Sequence, residues 1–213
     1  MGSESVPLSG RRAEAVRNNS RILESAKAVF VANPGAPISA VAEHAGVGIS
    51  ALYRRYPSKE DLLRKLCTDG LHIYLDAVEA ALDDDTDPWG AFTTFMERIV
   101  DANSLALTVK LAGTFTPTED LYRDSMKAQQ LNQQLVERTK EAGALRADID
   151  VNDLTFIFEQ LSGVKLGDEE RTKALRRRYL ALFLQALHTS GGDSPLPGPA
   201  PSWQEVAGRW EPK

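Results

Sequence analysis

The chain has only one cysteine, Cys67, among its 213 residues, so it forms no intramolecular disulfide. Its three histidines, His44, His72 and His188, are far apart, and no HExxH, P-loop or GxGxxG spacing occurs. Carboxylates are plentiful, but they occur in runs such as DDDTD, which are typical of solvated loops. We therefore expect no catalytic residue, no bound metal ion and no cofactor, and we predict that the chain is not an enzyme.

Long apolar segments are also missing. No run is long enough to span a bilayer and no secretory hydrophobic segment is present, so we expect a cytoplasmic protein without a membrane partner. Hydrophobic residues nevertheless make up 42% of the chain, which is enough to bury a sizeable core. They recur at helical spacing along most of the chain, and this periodicity predicts an all-α fold.

The segment from Ile38 to Leu63 predicts two short helices around a turn that contains Gly46. Glycine can adopt the left-handed backbone conformation that such a turn needs. The apolar positions that would close a small shared core are Val41, Ala42, Ala45, Val47, Leu52 and Tyr56. This pattern is typical of a helix-turn-helix, whose second helix presents hydrogen-bonding and cationic side chains to DNA.

The turn and the residues after it form a longer pattern of an AGV turn, an LY pair, an aromatic residue and a PSKE start to a long helix. Its members are Ala45, Gly46, Val47, Leu52, Tyr53, Tyr56, Pro57, Ser58, Lys59 and Glu60. On this pattern residues 21–66 resemble the tetracycline-repressor (TetR) family of one-component transcriptional regulators. The resemblance implies an N-terminal three-helix DNA-binding domain and a C-terminal helical domain that binds a small-molecule effector and forms a homodimer. It also implies binding to a palindromic double-stranded operator, with repression as the usual mode.

The chain departs from the family pattern at three places. Pro37 stands where the family usually has Ser or Thr, and Gly48 replaces a small hydroxyl residue or Asn. Ser39 is then a candidate to supply a hydroxyl near the start of the first helix. Ser50 and Ala51 also differ from the expected Gly or Pro followed by Thr. The operator sequence therefore cannot be carried over from the family.

The candidate DNA contacts lie on the two short helices and beside them. Ile49 and Ser50 would reach deepest into the major groove, and Tyr53 would touch a base or the backbone. Phosphates would be held by arginines and, as the resemblance implies, by Lys59. The full candidate set is Arg21, Ser39, Gly48, Ile49, Ser50, Ala51, Tyr53, Arg54, Arg55 and Lys59.

The net charge of −5 is unusual for a protein that binds nucleic acid, but the charges are unevenly distributed. Residues 1–65 hold ten Lys and Arg against six Asp and Glu, whereas residues 66–213 hold fifteen against twenty-four. A basic N-terminal part on an acidic body directs the molecule toward phosphate through the basic part.

We predict four segments and six long helices. The segments are a flexible arm over 1–12, a DNA-binding domain over 13–57, a ligand-binding and dimerisation domain over 58–189, and a Pro/Gly-rich tail over 190–213 with a short amphipathic stretch that docks back on the body. The expected helices begin at Ala13, after the caps Ser58, Asp87 and Thr116, at Val151 (to Leu166) and at Thr172 (to His188).

An aromatic and aliphatic set spread over four helices is the search area for an apolar or aromatic effector, although each member is also a typical core residue. Tyr122 and Met126 are expected on the inner side of their helix. The set is Trp89, Phe92, Phe95, Met96, Leu107, Leu111, Phe115, Tyr122, Met126 and Phe156.

The last two long helices are apolar on more than one side, which predicts a self-complementary dimer surface. The candidate residues are Leu154, Phe158, Leu161, Tyr179, Phe183 and Leu187. Two alternative functions stay open: a redox-responsive regulator that acts through Cys67, and a helical adaptor that binds proteins.

Overall fold

The computed structural model describes residues 10–103, 111, 114–191 and 194–210. Within these ranges the chain is helical and contains no strand, only an isolated bridge between Leu145 and His188. The α-helices are α1 (Gly10–Ala32), α2 (Ile38–Ala45), α3 (Ile49–Arg55), α4 (Lys59–Asp83), α5 (Pro88–Ala102), α6 (Glu119–Glu141), α7 (Val151–Gly163), α8 (Glu169–Leu187) and α9 (Trp203–Ala207). Short 3₁₀ turns follow at Thr189–Gly191 and Gly208–Trp210. The all-α prediction is confirmed.

The chain divides into two compact units between Leu66 and Cys67, a point that lies within α4. None of the described helices is long and apolar enough to cross a membrane. The unit that ends at Leu66 contains α1, α2, α3 and the first two turns of α4. The other unit contains the rest of α4 and the remaining helices.

The N-terminal unit is built on the inward stripe of α1, where Ile22, Ala26 and Phe30 are buried at helical spacing. The predicted turn between α2 and α3 is present, since Gly46 adopts φ 63° and ψ 37° and caps α2 with its backbone N–H. Five of the six predicted core positions are buried, namely Val41, Ala42, Ala45, Leu52 and Tyr56, whereas Val47 is only half-buried.

Two of the predicted helix starts are confirmed by their capping bonds. Ser58 Oγ accepts from the Asp61 amide at 3.0 Å at the start of α4. Asp87 Oδ1 accepts from the Gly90 amide at 3.0 Å, with Pro88 as the first residue of α5. In both cases the capping residue and its near neighbours in sequence were sufficient to predict where the helix begins.

The expected start of α6 after Thr116 is wrong, because the cap is Thr118. Thr118 Oγ1 accepts from the Leu121 amide at 3.2 Å, so Pro117 precedes the cap rather than following it. This start places Glu119 and Asp120 in the first turn, where carboxylates favour the positive end of the helix dipole.

The expected bounds of the last two long helices also need correction. Helix α7 stops at Gly163 because Val164 has an extended backbone, three residues before the expected end at Leu166. Helix α8 begins three residues before Thr172, because Asp168 Oδ1 accepts from the Arg171 amide at 2.8 Å. Helix α1 likewise begins at Gly10 rather than Ala13.

The core of the C-terminal unit is formed by α5, α7 and α8 with parts of α4 and α6. Its centre is aromatic: the Phe95 ring meets the Tyr74 ring edge-on at 5.3 Å and the Phe158 ring at 6.1 Å. Such pairs add stability beyond their buried area. Arg138 on α6 donates to the carbonyls of Leu82 at 2.9 Å and Ala81 at 2.6 Å, and so holds the last turn of α4.

The tail packs against α7. Val206 is buried, the Asn152 amide donates to the Pro201 carbonyl at 3.0 Å, and Arg209 forms a two-bond ion pair with Glu159 at 2.9 Å. The expected docking of the tail is therefore confirmed for this segment. Trp203 remains 38% exposed.

Candidate nucleic-acid interface

Helix α3 presents nearly all of its side chains to solvent. Leu52 is fully buried and anchors the helix, whereas Ile49 is 39% and Tyr53 47% exposed, although both are large apolar or aromatic residues. Several predicted contacts share this exposure: Ser39, Gly48, Ser50, Ala51, Arg54 and Arg55. Exposed aromatic and aliphatic residues among arginines suit a surface that meets base edges and phosphates.

The starts of α2 and α3 carry no side-chain cap. Pro37 and Gly48 occupy the two cap positions, both with extended backbones, and neither provides a capping oxygen. The expectation that Ser39 replaces the missing hydroxyl is wrong, because no side chain caps α2. The first backbone amides of α3 are therefore open to an anion.

The C-terminal end of α3 is tied to α1 through Asn19. Asn19 Oδ1 accepts from Arg55 Nε at 3.1 Å and from the Tyr56 hydroxyl at 2.8 Å. Sequence reasoning missed Asn19, because it lies more than thirty residues from both partners and no local pattern marks it. These bonds set the orientation of α3 on its support.

Arg21 serves mainly to hold the turn between α2 and α3. Its Nη2 donates to the Ala45 carbonyl at 2.6 Å, at the C-terminal end of α2 where a cation is favoured. It also lies so close to Gly46 that a Cβ there would be 3.0 Å from Nη2. The phosphate contact expected of Arg21 therefore competes with a structural role.

Lys59, like Arg21, makes a structural contact and is also an expected phosphate contact. Its Nζ donates to the Pro34 carbonyl at 3.0 Å and lies 5.1 Å from the centroid of the Phe30 ring, so it secures the chain that follows α1. Only one of its three N–H groups is used in that hydrogen bond, and the others can still meet a phosphate.

Arg54 differs from these cations. It is exposed and forms no hydrogen bond or ion pair with any other residue in the described part of the chain. Tyr53 beside it likewise keeps its hydroxyl without a protein partner there. Arg54 and Tyr53, together with the exposed Ile49 and Ser50, are thus side chains of α3 that the fold leaves available for a ligand.

The effector candidates on α5 lie in the packed core of the C-terminal unit. Phe92, Phe95 and Met96 are fully buried, as is Leu111, and Phe115 is 6% exposed. Trp89 is half-buried, stacked on Phe92 at 5.7 Å and edge-on to His188 at 4.6 Å.

The other effector candidates are not brought to that core. Tyr122 is 63% and Met126 39% exposed, so the expectation that they lie on the inner side of α6 is wrong: Leu121 and Ala128 take the inward positions. Phe156 is exposed and lies under the guanidinium of Arg209 at 5.5 Å. Leu107 lies outside the described residues.

Most of the candidate dimer residues are also in the core of the subunit itself. Leu154, Phe158, Leu161 and Leu187 are each less than 5% exposed, so the prediction that they form a dimer surface is wrong. Helical periodicity identifies two apolar sides of a helix but not which side faces inward.

The outer sides of the same helices still carry apolar residues. Tyr179 is 42% exposed and Leu182 53%, and Phe183 is half-buried beside them. Leu182 and Phe183 follow Tyr179 by three and four residues, so the three side chains form one stripe along α8. Leu182 was absent from the predicted set.

Two further predictions concern reactive groups. Cys67 is only 2% exposed, which leaves the thiol inaccessible to a partner subunit in this conformation and weighs against the redox alternative. Among the described residues, no three His, Cys, Asp or Glu side chains are close enough together to hold a metal ion.

Comparison with known families gives two matches. Residues 22–66 match the family described as bacterial regulatory proteins, tetR family. Residues 87–189 match the family described as transcriptional regulator SbtR-like, C-terminal domain. The first range contains α2 and α3, and the second begins at the cap of α5 and ends just after α8. No curated protein sequence matches the chain significantly.

Several solved structures share the fold. The ketosteroid transcriptional regulator KstR2 of Mycobacterium tuberculosis is 16% identical with a TM-score of 0.61, over 81% of this chain and 95% of that one. LfrR from Mycobacterium smegmatis, solved in complex with proflavine, is 21% identical with a TM-score of 0.59, over 85% and 99%. SCO0520 from Streptomyces coelicolor is 25% identical with a TM-score of 0.52, over 79% and 97%.

Proposed function

This chain belongs to the TetR family of bacterial transcriptional regulators, and we propose that it binds a palindromic operator as a homodimer, represses transcription there, and leaves the DNA when a small molecule binds its C-terminal unit. Members of this family are regulators rather than enzymes, in agreement with the prediction from sequence. Because its operator is bacterial DNA, we place the protein in the cytoplasm.

The observation that carries the proposal is the exposed surface of α3. Tyr53 and Arg54 are held at the surface without a hydrogen-bond partner among the described residues, while Asn19 fixes the end of the helix that carries them. We assign Ile49 to a thymine methyl group, Ser50 to a base edge, and Arg54 with Arg55 and Lys59 to phosphates. Arg21 then supports the turn instead of contacting DNA.

The second copy of the chain would dock on the stripe formed by Tyr179, Leu182 and Phe183 of α8. A two-fold interface places the same stripe of both subunits face to face, so each copy covers the apolar surface of the other. The two α3 helices of such a dimer must lie about 34 to 36 Å apart, or a multiple of that distance, to enter successive major grooves.

The effector would be apolar or aromatic. The aromatic side chains of α5 support this class, and the related LfrR was solved with proflavine, a planar aromatic compound. Because Phe92, Phe95 and Met96 are fully buried, such a ligand must first separate packed side chains. The bound ligand would then favour a conformation in which these side chains are separated, and α4 would carry that change to the DNA-binding unit.

Selection from random DNA tests the proposal. Purified protein is mixed with a random duplex pool, bound fragments are amplified over several rounds, and the enriched sequences are searched for inverted repeats. We expect an inverted repeat to dominate with wild type and with Asn18→Ala, a half-buried control position on α1, and enrichment to be lost with Tyr53→Ala/Arg54→Ala. Equal enrichment by wild type and the double variant would contradict the assignment of α3 as the reading helix.

A further inference from the structure

A small cavity lies where the C-terminal ends of α5 and α7 approach the side of α8. Its volume is about 10 Å³, which is close to the minimum for one water molecule. One side is apolar, with Ile99, Phe158 and Leu161 among its walls, and the other side is polar, formed by Asn103, Ser162 and Arg176. A lining with one apolar and one polar side fits a ligand that has both kinds of surface.

Arg176 is the unusual member of this lining, because it is only 8% exposed and yet forms no ion pair with any residue that the structure describes. Its Nε donates to the Val164 carbonyl at 3.2 Å and its Nη2 to the Ser162 carbonyl at 3.1 Å, at the end of α7. These bonds use two of the five guanidinium N–H groups. No carboxylate of the described residues lies within ion-pair distance of it.

Arg177, the next residue along α8, differs from Arg176 in its ion pairing. Arg177 is exposed and pairs with Asp101 on α5 through both carboxylate oxygens, one of them 2.8 Å from Nε. That pairing holds the pKa of Asp101 below its ordinary value. For Arg176, burial lowers the guanidinium pKa and only the charge of Glu169 acts against this. Residues 104–110, which follow α5 in sequence, contain no acidic residue either.

A buried cation without an ion pair is costly, and here the C-terminal dipole of α7 and the more distant charge of Glu169 offset that cost in part. An anion in the cavity would complete the compensation. Asn103 is suitably placed for a second bond: it ends α5 with a left-handed backbone, φ 49°, and its side chain makes no hydrogen bond to the described residues. Guanidinium and amide N–H groups together match the two oxygens of a carboxylate.

We propose that this cavity binds the carboxylate of a small organic acid, with Arg176 and Asn103 holding the oxygens and the apolar wall holding the carbon chain. The inference rests on the proposed function and deepens it: the apolar part of the effector would carry a carboxylate, and Arg176 would hold that group. Because a cavity of this volume accommodates only a group of water size, the acid must part Ile99 and Phe158 as it enters, and this movement links binding to the packing of α5 against α7.

Calorimetric titration tests the site without DNA. Acetate, butyrate and octanoate are titrated into the full-length protein at constant ionic strength, and 1-octanol and octylamine are the uncharged and cationic controls. We expect at least one acid to bind with a dissociation constant below 1 mM, and the matched controls to bind at least about tenfold more weakly. Absence of binding by all three acids, or equal binding of 1-octanol and octanoate, would overturn the proposal.

Three variants locate the site. Arg176→Gln should weaken binding of the acid by about tenfold or more. Arg178→Gln, which changes an exposed arginine of the same helix, should leave the affinity for the acid unchanged. Asn103→Gly keeps the left-handed backbone, removes the amide and should weaken binding severalfold, so the test does not depend on Arg176→Gln being stable. Unchanged affinity in Asn103→Gly and in a folded Arg176→Gln would refute the assignment.

A second readout separates this inference from the proposed function. Operator affinity is measured with and without the acid. If the acid weakens operator binding by wild type but not by Arg176→Gln, the cavity is supported as the effector site. If the acid binds through Arg176 but operator affinity stays the same, that assignment is overturned. If the protein binds no operator, the proposed function fails while the calorimetry still decides whether the carboxylate site exists.

Discussion

At the scale of single residues, the cations of the N-terminal unit divide into two groups. Arg21 and Lys59 donate to backbone carbonyls and so stabilise the turns that present α3. Arg54 has no such partner in the described part of the chain and stays exposed. A count of positive charge treats all three alike, but their substitutions should have different effects on stability and on DNA binding.

Arg54→Ala should remove one phosphate contact per subunit without destabilising the fold. The slope of log affinity against log salt should then become shallower by about 0.9 for each lost contact, or about 1.8 for a dimer, with an unchanged melting temperature. Arg21→Ala, the contrasting variant, should lower the melting temperature, because the Ala45 carbonyl loses its partner. A shallower slope for Arg21→Ala at unchanged stability would reverse the assignment.

Asn19→Ala should weaken operator binding although Asn19 itself touches no DNA in our account. It removes the acceptor of Arg55 Nε and of the Tyr56 hydroxyl, two bonds worth about 1 to 3 kcal/mol together. We expect a lower melting temperature and about 3- to 30-fold weaker binding, measured by calorimetry and fluorescence anisotropy. The neighbouring substitution Asn18→Ala is the control and should change neither value.

At the scale of helices, local signals predicted some boundaries and missed others for a physical reason. The Gly46 turn and the Ser58 and Asp87 caps each depend on residues within four positions of one another, so sequence shows them directly. The segment TFTPTED contains more than one threonine that could cap the helix. Only the hydrogen bond from the Leu121 amide identifies Thr118 as the cap. Contacts such as Asn19 with Arg55 and Arg176 with α7 depend on tertiary packing, which no local pattern records.

Thr118→Ala should destabilise the protein by about 1 kcal/mol, because the Leu121 amide loses its capping oxygen. For a chain of this length that corresponds to a fall in melting temperature of about 2 to 4 °C. Thr118→Ser keeps the oxygen and should be close to wild type. A melting temperature of Thr118→Ala equal to that of wild type would contradict the corrected start of α6.

The tail attachment should depend on pH through Asp148. Arg146 donates to both of its oxygens at 2.8 Å and the Leu196 amide donates to one of them at 2.9 Å, which holds the pKa of Asp148 below its ordinary value. A lowered carboxyl pKa means that the stabilisation is complete above the unfolded-state pKa and is lost as pH falls toward the folded-state value.

We therefore expect the fluorescence of Trp203, recorded in a Trp89→Phe/Trp210→Phe background, to be constant from pH 8 to pH 5 and to change below about pH 4. Asp148→Asn in the same background replaces the carboxylate with a neutral amide, which cannot form the ion pair with Arg146. This variant should therefore show the altered signal at neutral pH. A transition of the parent variant between pH 5 and 8, or a wild-type-like signal from Asp148→Asn, would contradict this attachment.

At the scale of the whole molecule, the two apolar sides of α7 and α8 have separate functions. Leu154, Phe158 and Leu161 complete the core of the subunit, and the exposed stripe with Leu182 is the surface that we propose for the second copy. Sequence predicted that such a surface exists but assigned most of its residues to the wrong side, because both sides have helical periodicity.

Leu182→Asp should shift the dimer to a monomer of 23.3 kDa in analytical ultracentrifugation while its helical circular dichroism is retained, because a charge then faces the same charge across the two-fold axis. Leu166→Asp introduces the same charge at an exposed leucine between α7 and α8, outside the stripe, and should remain dimeric. A dimeric Leu182→Asp, or a monomeric wild type, would refute the proposed interface.

The central claim is that a dimer holds DNA through the exposed cations of two α3 helices and the adjoining Lys59 residues. Titration of the selected operator and of a scrambled duplex over a range of salt concentrations tests it most directly. With Arg54, Arg55 and Lys59 of both subunits neutralising about six phosphates, we predict preference for the operator and a slope of log affinity against log salt near −5. Equal affinity for the two duplexes, or a slope close to zero, would contradict the account.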